Sequence, residues 1–162
     1  MTHGATAFAE LVQELELEYR QLGQILQLLE AERSALADGE IDRLPAIAGE
    51  KLSQLRSLEL YTRRRSELLK NLGHTTDARG MLACADAAGV HGKRMRALWH
   101  DLAARAEQAR TSNELNGQLI RIQLAAVQGR MAQLNTVAGS LNTYGADGLA
   151  RTAFQGRALG QI

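Results

Sequence analysis

The sequence predicts an all-α protein: an elongated antiparallel bundle or coiled coil of three long helices, with a short extra helix before the third and a flexible C-terminal tail. Two observations carry this prediction. The 162 residues include one Pro and only 4% aromatic residues, and they are rich in Ala, Leu, Gln, Glu and Arg, which form helices readily. Few β-branched residues are left to build a sheet. In addition, apolar residues recur at seven-residue intervals over long stretches, and glycines interrupt that rhythm. The length fits one domain that can bury enough apolar surface to fold unaided.

The first helix is expected from Ala5 to Ala37. Phe8, Leu15, Leu22, Leu29 and Leu36 recur every seven positions, Leu11 and Ile25 fill the intermediate seam, and Val12, Tyr19 and Leu26 widen it. At about 1.5 Å per residue such a helix spans roughly 50 Å, which calls for a bundle or coiled coil. Asp38-Gly39-Glu40 ends it, because Gly readily takes the left-handed conformation that terminates helices. Asp42 is placed to cap the second helix, and Pro45 suits its first turn, where no amide partner is lost. This helix is expected to run to about Leu72, with Leu44, Ile47, Ala48, Leu55, Leu58, Tyr61, Leu68, Leu69 and Leu72 on its apolar face. A short connection between long helices favours antiparallel neighbours.

Residues 73–92 read as looser, with a short Ala-rich helix from Asp77 to Ala88 bounded by Gly89 and Gly92. A third long helix follows from about Lys93 to Ala138, seamed by Met95, Leu98, Leu102, Ala109, Leu119, Ile120, Val127, Met131 and Leu134. Its middle is polar, since Asn113, Asn116 and Gln123 stand where Leu would be expected. One reading makes these a layer that fixes register at some cost in stability. The other leaves the seam open there for a partner helix. After Leu141 the helical period stops, so 1–141 is expected to form the bundle and 142–162 a flexible tail.

Several function classes are excluded by what the chain lacks. Cys84 stands alone, so there is neither a disulfide framework nor a Cys-x-x-Cys pair, and a reducing compartment is the simplest home. The N-terminal residues are acidic and polar where a signal peptide needs a basic start and an apolar run. No stretch approaches the roughly 20 apolar residues of a membrane span. A cytoplasmic protein without membrane insertion is therefore expected. Gly89-Val90-His91-Gly92-Lys93-Arg94 resembles a phosphate loop only superficially, since Ala87 and Arg94 occupy positions that need Gly and Ser or Thr. His3, His74, His91 and His100 have no metal-ligand spacing, and no Glu-x-x-His pair occurs. No cofactor, metal site or catalytic residue is expected.

Charge is distributed unevenly. Residues 1–50 carry a net −7 and residues 51–162 a net +8, giving +1 for the chain. An acidic first helix beside basic later ones gains complementary rim pairs, an intramolecular use of the asymmetry. Arg63-Arg64-Arg65 and Lys93-Arg94-Arg96 read as solvated faces, as do Glu14, Glu16 and Glu18. Near-zero net charge and the absence of a recognition module argue against nucleic acid as a partner. What remains is a protein that binds other proteins.

Four short patterns point to a family. Gly39-x-Ile41 lies between the first helices, Ile47-x-x-Glu50-Lys51 opens the second, Asn113-x-x-Asn116-Gly117-x-Leu119 sits in the third, and Tyr144-Gly145-x-Asp147-Gly148 follows it. In order and spacing they resemble the FlgN family of flagellar type III export chaperones. The resemblance implies binding of the hook-filament junction proteins FlgK and FlgL through their helical C-terminal segments, without ATP, and delivery to the export gate protein FlhA. The family's gate-docking Tyr matches Tyr144. The client surface is expected on the third helix, from Asn113, Asn116, Leu119, Ile120, Val127, Met131 and Leu134, if that helix outruns its partners. A homodimer covering the same residues is an equal candidate, and a purely self-associating structural coiled coil is the alternative function.

Overall fold

In a computed structural model, the backbone of residues 2–143 and the side chains of residues 6–136 are described. These residues form four α-helices and two 3-10 turns, with no strand among them. The helices are α1 (Thr2–Asp38), α2 (Leu44–Asn71), α3 (Ala78–Ala87) and α4 (Gly92–Thr143). The turns, Ile41–Arg43 and Gly89–His91, precede α2 and α4. The chain divides into two compact units inside α4, Met1–Leu119 and Ile120–Ile162. Helix α4 also continues to Thr143, past the expected end at Ala138. The remainder of the expected tail, including Tyr144, lies outside the described residues.

In the unit Met1–Leu119 the long helices alternate in direction. Side-chain pairs between α1 and α2 join Glu18 to Arg65 and Glu32 to Lys51, so positions rise along one helix as they fall along the other. Those between α1 and α4 join Glu16 to Arg94, the Tyr19 carbonyl to Arg105, and Leu29 to Asn116, rising together. Helices α1 and α4 are therefore parallel, and α2 runs against both. The seven-residue seam of α1 supplies the core: Leu11, Leu15, Leu22, Ile25 and Leu29 are buried against Leu69, Met95, Leu98, Leu102 and Ala109. Phe8, Val12, Tyr19 and Leu26 pack on its margin.

The helix ends follow local chemistry. Gly39 takes a φ of +72°, and the Glu40 amide donates to the Ala35 carbonyl at 2.9 Å, closing α1 as its sequence predicts. Pro45 sits in the first turn of α2, but Asp42 does not cap it. Asp42 lies inside the 3-10 turn instead, and the position preceding α2 is Arg43, which makes no side-chain capping bond. At α3 the cap is Asp77, whose carboxylate accepts from the Gly80 amide at 2.9 Å and from the Thr75 hydroxyl at 2.6 Å. These two donors hold its carboxyl below the usual value of 3.8.

The segment read as loose is firmly packed. Met81 and Cys84 of α3 are fully buried and Ala85 nearly so, all within the main core. Burial pushes the Cys84 thiol pKa up, in keeping with a packing role. Gly80 lets the turn before α3 pack against the helix's first turn, because a Cβ there would stand 1.9 Å from the Thr75 carbonyl oxygen. On α2 the expected apolar face is only partly used. Ile47 and Leu69 are buried and Leu58, Leu68 and Leu72 flank the core, whereas Ala48 and Leu55 are exposed.

The solvated face expected of Glu14, Glu16 and Glu18 is corrected by the structure. Glu18 is only 3% exposed, and its carboxylate accepts from Arg65 Nε at 2.8 Å. Arg65 is buried as well, and its guanidinium lies 5.0 Å from the Trp99 ring centroid. Glu14 is half-buried, and its Oε2 has no hydrogen-bond partner. Burial raises the Glu18 pKa above its usual 4.5, Arg65 opposes the rise by charge and hydrogen bond, and nearby Glu14 adds to it. Desolvation and the Glu14 charge together thus outweigh the help that Arg65 gives the charged form.

Candidate functional site

Two features involve the residues singled out in the third helix. The first is a buried polar cluster in the unit Met1–Leu119. Glu32 of α1 receives Lys51 Nζ from α2 on both carboxylate oxygens, at 2.8 and 2.9 Å. Asn116 of α4 donates its amide to Glu32 Oε2 at 2.8 Å and to the Leu29 carbonyl at 2.8 Å. Lys51 also reaches Asn113 Oδ1 at 3.3 Å. The patterns Ile47-x-x-Glu50-Lys51 and Asn113-x-x-Asn116-Gly117, separated in sequence, therefore meet in one place. Each polar partner is satisfied only when all three helices are in register, which is the use to which buried Asn is best suited.

This cluster separates the two asparagines. Asn116 is 1% exposed and faces α1, so it has no surface to offer an incoming segment and serves the register reading. Asn113 is exposed. It stands at the lip of a cleft of about 180 Å³ lined also by Ile25, Leu29, Leu55 and Ala109, room for about one aliphatic side chain.

The second feature belongs to the unit Ile120–Ile162, whose described residues are all in α4. Ile120, Leu124, Val127, Met131 and Leu134 are spaced four, three, four and three residues apart. That spacing puts all five on one face of a helix, as in the seam of a coiled coil. They are between 42% and 68% exposed. Four of them were expected at a binding surface. Leu124 was missed, although it stands one heptad before Met131 and the alternating interval finds it. Leu119, in the other unit, is 36% exposed. Ile122, also exposed, lies on the opposite side of the helix from the seam.

An exposed row of Leu, Ile, Val and Met leaves apolar area in water that a partner helix could cover. No described helix is long and apolar enough to cross a membrane. Neither a curated protein nor a solved structure matches the chain. The family model described as FlgN protein matches residues 1–152, nearly the whole sequence. The chain therefore belongs to the FlgN family, whose role is that of a flagellar export chaperone.

Proposed function

We propose that the chain acts in the cytoplasm as the export chaperone of hook-filament junction proteins of the FlgK and FlgL kind, and that it works by binding, without chemical turnover. The observation that supports this reading most is the exposed seam Ile120–Leu134. An amphipathic client segment laid on it would bury five apolar side chains at once and would be kept from pairing with other copies of itself. Delivery to an export gate protein of the FlhA kind is assigned to Tyr144, on the family pattern alone.

Magnitudes suit a releasable complex. Full burial of such a side chain contributes about 1.5–3 kcal/mol, and these are already partly covered, so each has roughly 1 kcal/mol left to gain. Five give about 5 kcal/mol, against an association cost of about 4–15 kcal/mol. The seam alone therefore holds a client weakly, and a tight complex needs further contacts.

The test is co-purification with the C-terminal segment of a junction protein, with light scattering to fix stoichiometry. One client per chain is expected, and Met131→Asp should abolish capture. Failure of every such segment to bind would sink the proposal. Tyr144→Ala should spare client capture and weaken gate binding; equal loss of both would contradict the two-site arrangement. The spacing of the seam also favours a second reading, a homodimer of the chain through the same residues. Light scattering of the free protein separates the two: a dimer that excludes the client segment would support self-association.

A further inference from the structure

The client reading above rests on the apolar seam, and the residues that flank it say more about what it takes. We propose that the helix bound by Ile120–Leu134 carries acidic side chains along the margins of its own apolar stripe. In a seam of this spacing, the positions immediately beside it are those that meet a partner's charged margins. Here one margin holds Arg121, Gln128 and Asn135, and the other Gln123 and Arg130. From Leu115 to Ala146 the sequence contains no Asp or Glu, while both of its basic residues, Arg121 and Arg130, fall on these margins.

Among the described residues, exposed arginines without an ion pair also occur at Arg20, Arg56 and Arg79, but Arg20 and Arg56 have Glu16 and Glu59 three or four residues away on their own helices, and other surface arginines are paired outright. Arg33 pairs with Glu30, Arg63 with Glu59, and Arg110 with Glu107 and Glu114, each within its own helix. Arg121 and Arg130 are exposed and form no ion pair with any described residue. No acid lies three or four residues from either on the same helix. A second copy of this stretch brings only Arg, Gln and Asn to the margins, in parallel or antiparallel orientation, and so offers no complementary charge. An amphipathic helix with Glu or Asp beside its apolar stripe does.

The experiment uses the full chain and three helical peptides that share one apolar seam and carry Glu, Gln or Lys at the flanking positions, with affinity followed by fluorescence anisotropy. At low salt the Glu peptide is expected to bind about 2- to 30-fold more tightly than the Gln peptide, the yield of two exposed pairs, and the Lys peptide more weakly than both. At about 1 M salt, where charges are screened beyond roughly 3 Å, the Glu advantage should fall below about twofold. The Arg121→Gln, Arg130→Gln double variant should lose the preference while keeping its affinity for the Gln peptide. Equal affinities for the Glu and Gln peptides, or tightest binding of the Lys peptide, would overturn the charge assignment and leave the client seam standing. Binding of none of the three would overturn both.

Discussion

Residues 1–119 and residues 120–136 depart differently from the usual rule of apolar inside and polar outside. Both expose large apolar side chains, Leu52, Leu60 and Val90 among those of the first, but only the first buries charged groups. The first region buries Glu18, Glu32, Arg65 and Asn116. The second exposes Ile120, Leu124, Val127, Met131 and Leu134. A buried charge costs stability unless its partners are in place, so it punishes misalignment of the helices. An exposed apolar row sacrifices burial and leaves a surface that a partner can cover. The contrast teaches a division of labour: polar groups inside specify the arrangement of the support, and apolar groups outside are kept for association.

The largest expected effect comes from breaking the buried pair. Arg65→Ala or Glu18→Ala should each cost about 3–5 kcal/mol in urea unfolding, since either leaves one charge buried without its partner. Replacing both, as in Glu18→Leu with Arg65→Met, should return stability to within about 1 kcal/mol of the original, because well-packed apolar residues commonly replace a buried ion pair without loss. A double variant as unstable as the singles would show that the pair is a net stabiliser. Next comes Asn116→Leu, expected to cost about 1–3 kcal/mol by leaving the Leu29 carbonyl and Glu32 each short of a donor.

Titration sharpens the same contrast between buried and exposed carboxylates. The Asp77 pKa is lowered in the fold, so its contribution is present above its ordinary 3.8 and is lost as pH falls through the folded value. Glu18 has the opposite sign: with its pKa raised, stability declines as pH climbs from its ordinary 4.5 through the folded value. Melting temperatures measured from about pH 3 to pH 7 should therefore show Asp77→Asn flattening the loss on the acid side. The smallest effect on folding is expected in the seam. Val127→Asp should change stability by no more than about 0.5 kcal/mol while weakening client capture at least about tenfold. A seam variant that unfolds the protein would place these residues in a core.

Much of this arrangement could be read before the fold was known, where local rules decide. The heptads of α1 and the left-handed Gly39 depend on neighbours a few residues away, and each is found where it was expected. Glu18 could not be read, because among Glu14, Glu16 and Glu18 nothing local distinguishes a solvated carboxylate from one paired with an arginine 47 residues along the chain. Asn113 and Asn116 present the same difficulty in miniature. Both interrupt an apolar pattern, and only the position of α1 decides that Asn116 turns inward while Asn113 remains exposed. The seam of α4 was legible from its spacing apart from Leu124. Its partner was not, since a helical stripe looks alike whether it is buried or waiting to be covered.

The division of labour is tested most directly by amide hydrogen exchange of the chain with and without the C-terminal segment of a junction protein at saturating concentration. Docking on the seam should slow exchange across residues 120–134 by stabilising that stretch of helix, while the α1–α2 pairing in residues 11–36 and 47–69 keeps its protection unchanged. Protection gained in the α1–α2 hairpin, with residues 120–134 unaffected, would contradict the account.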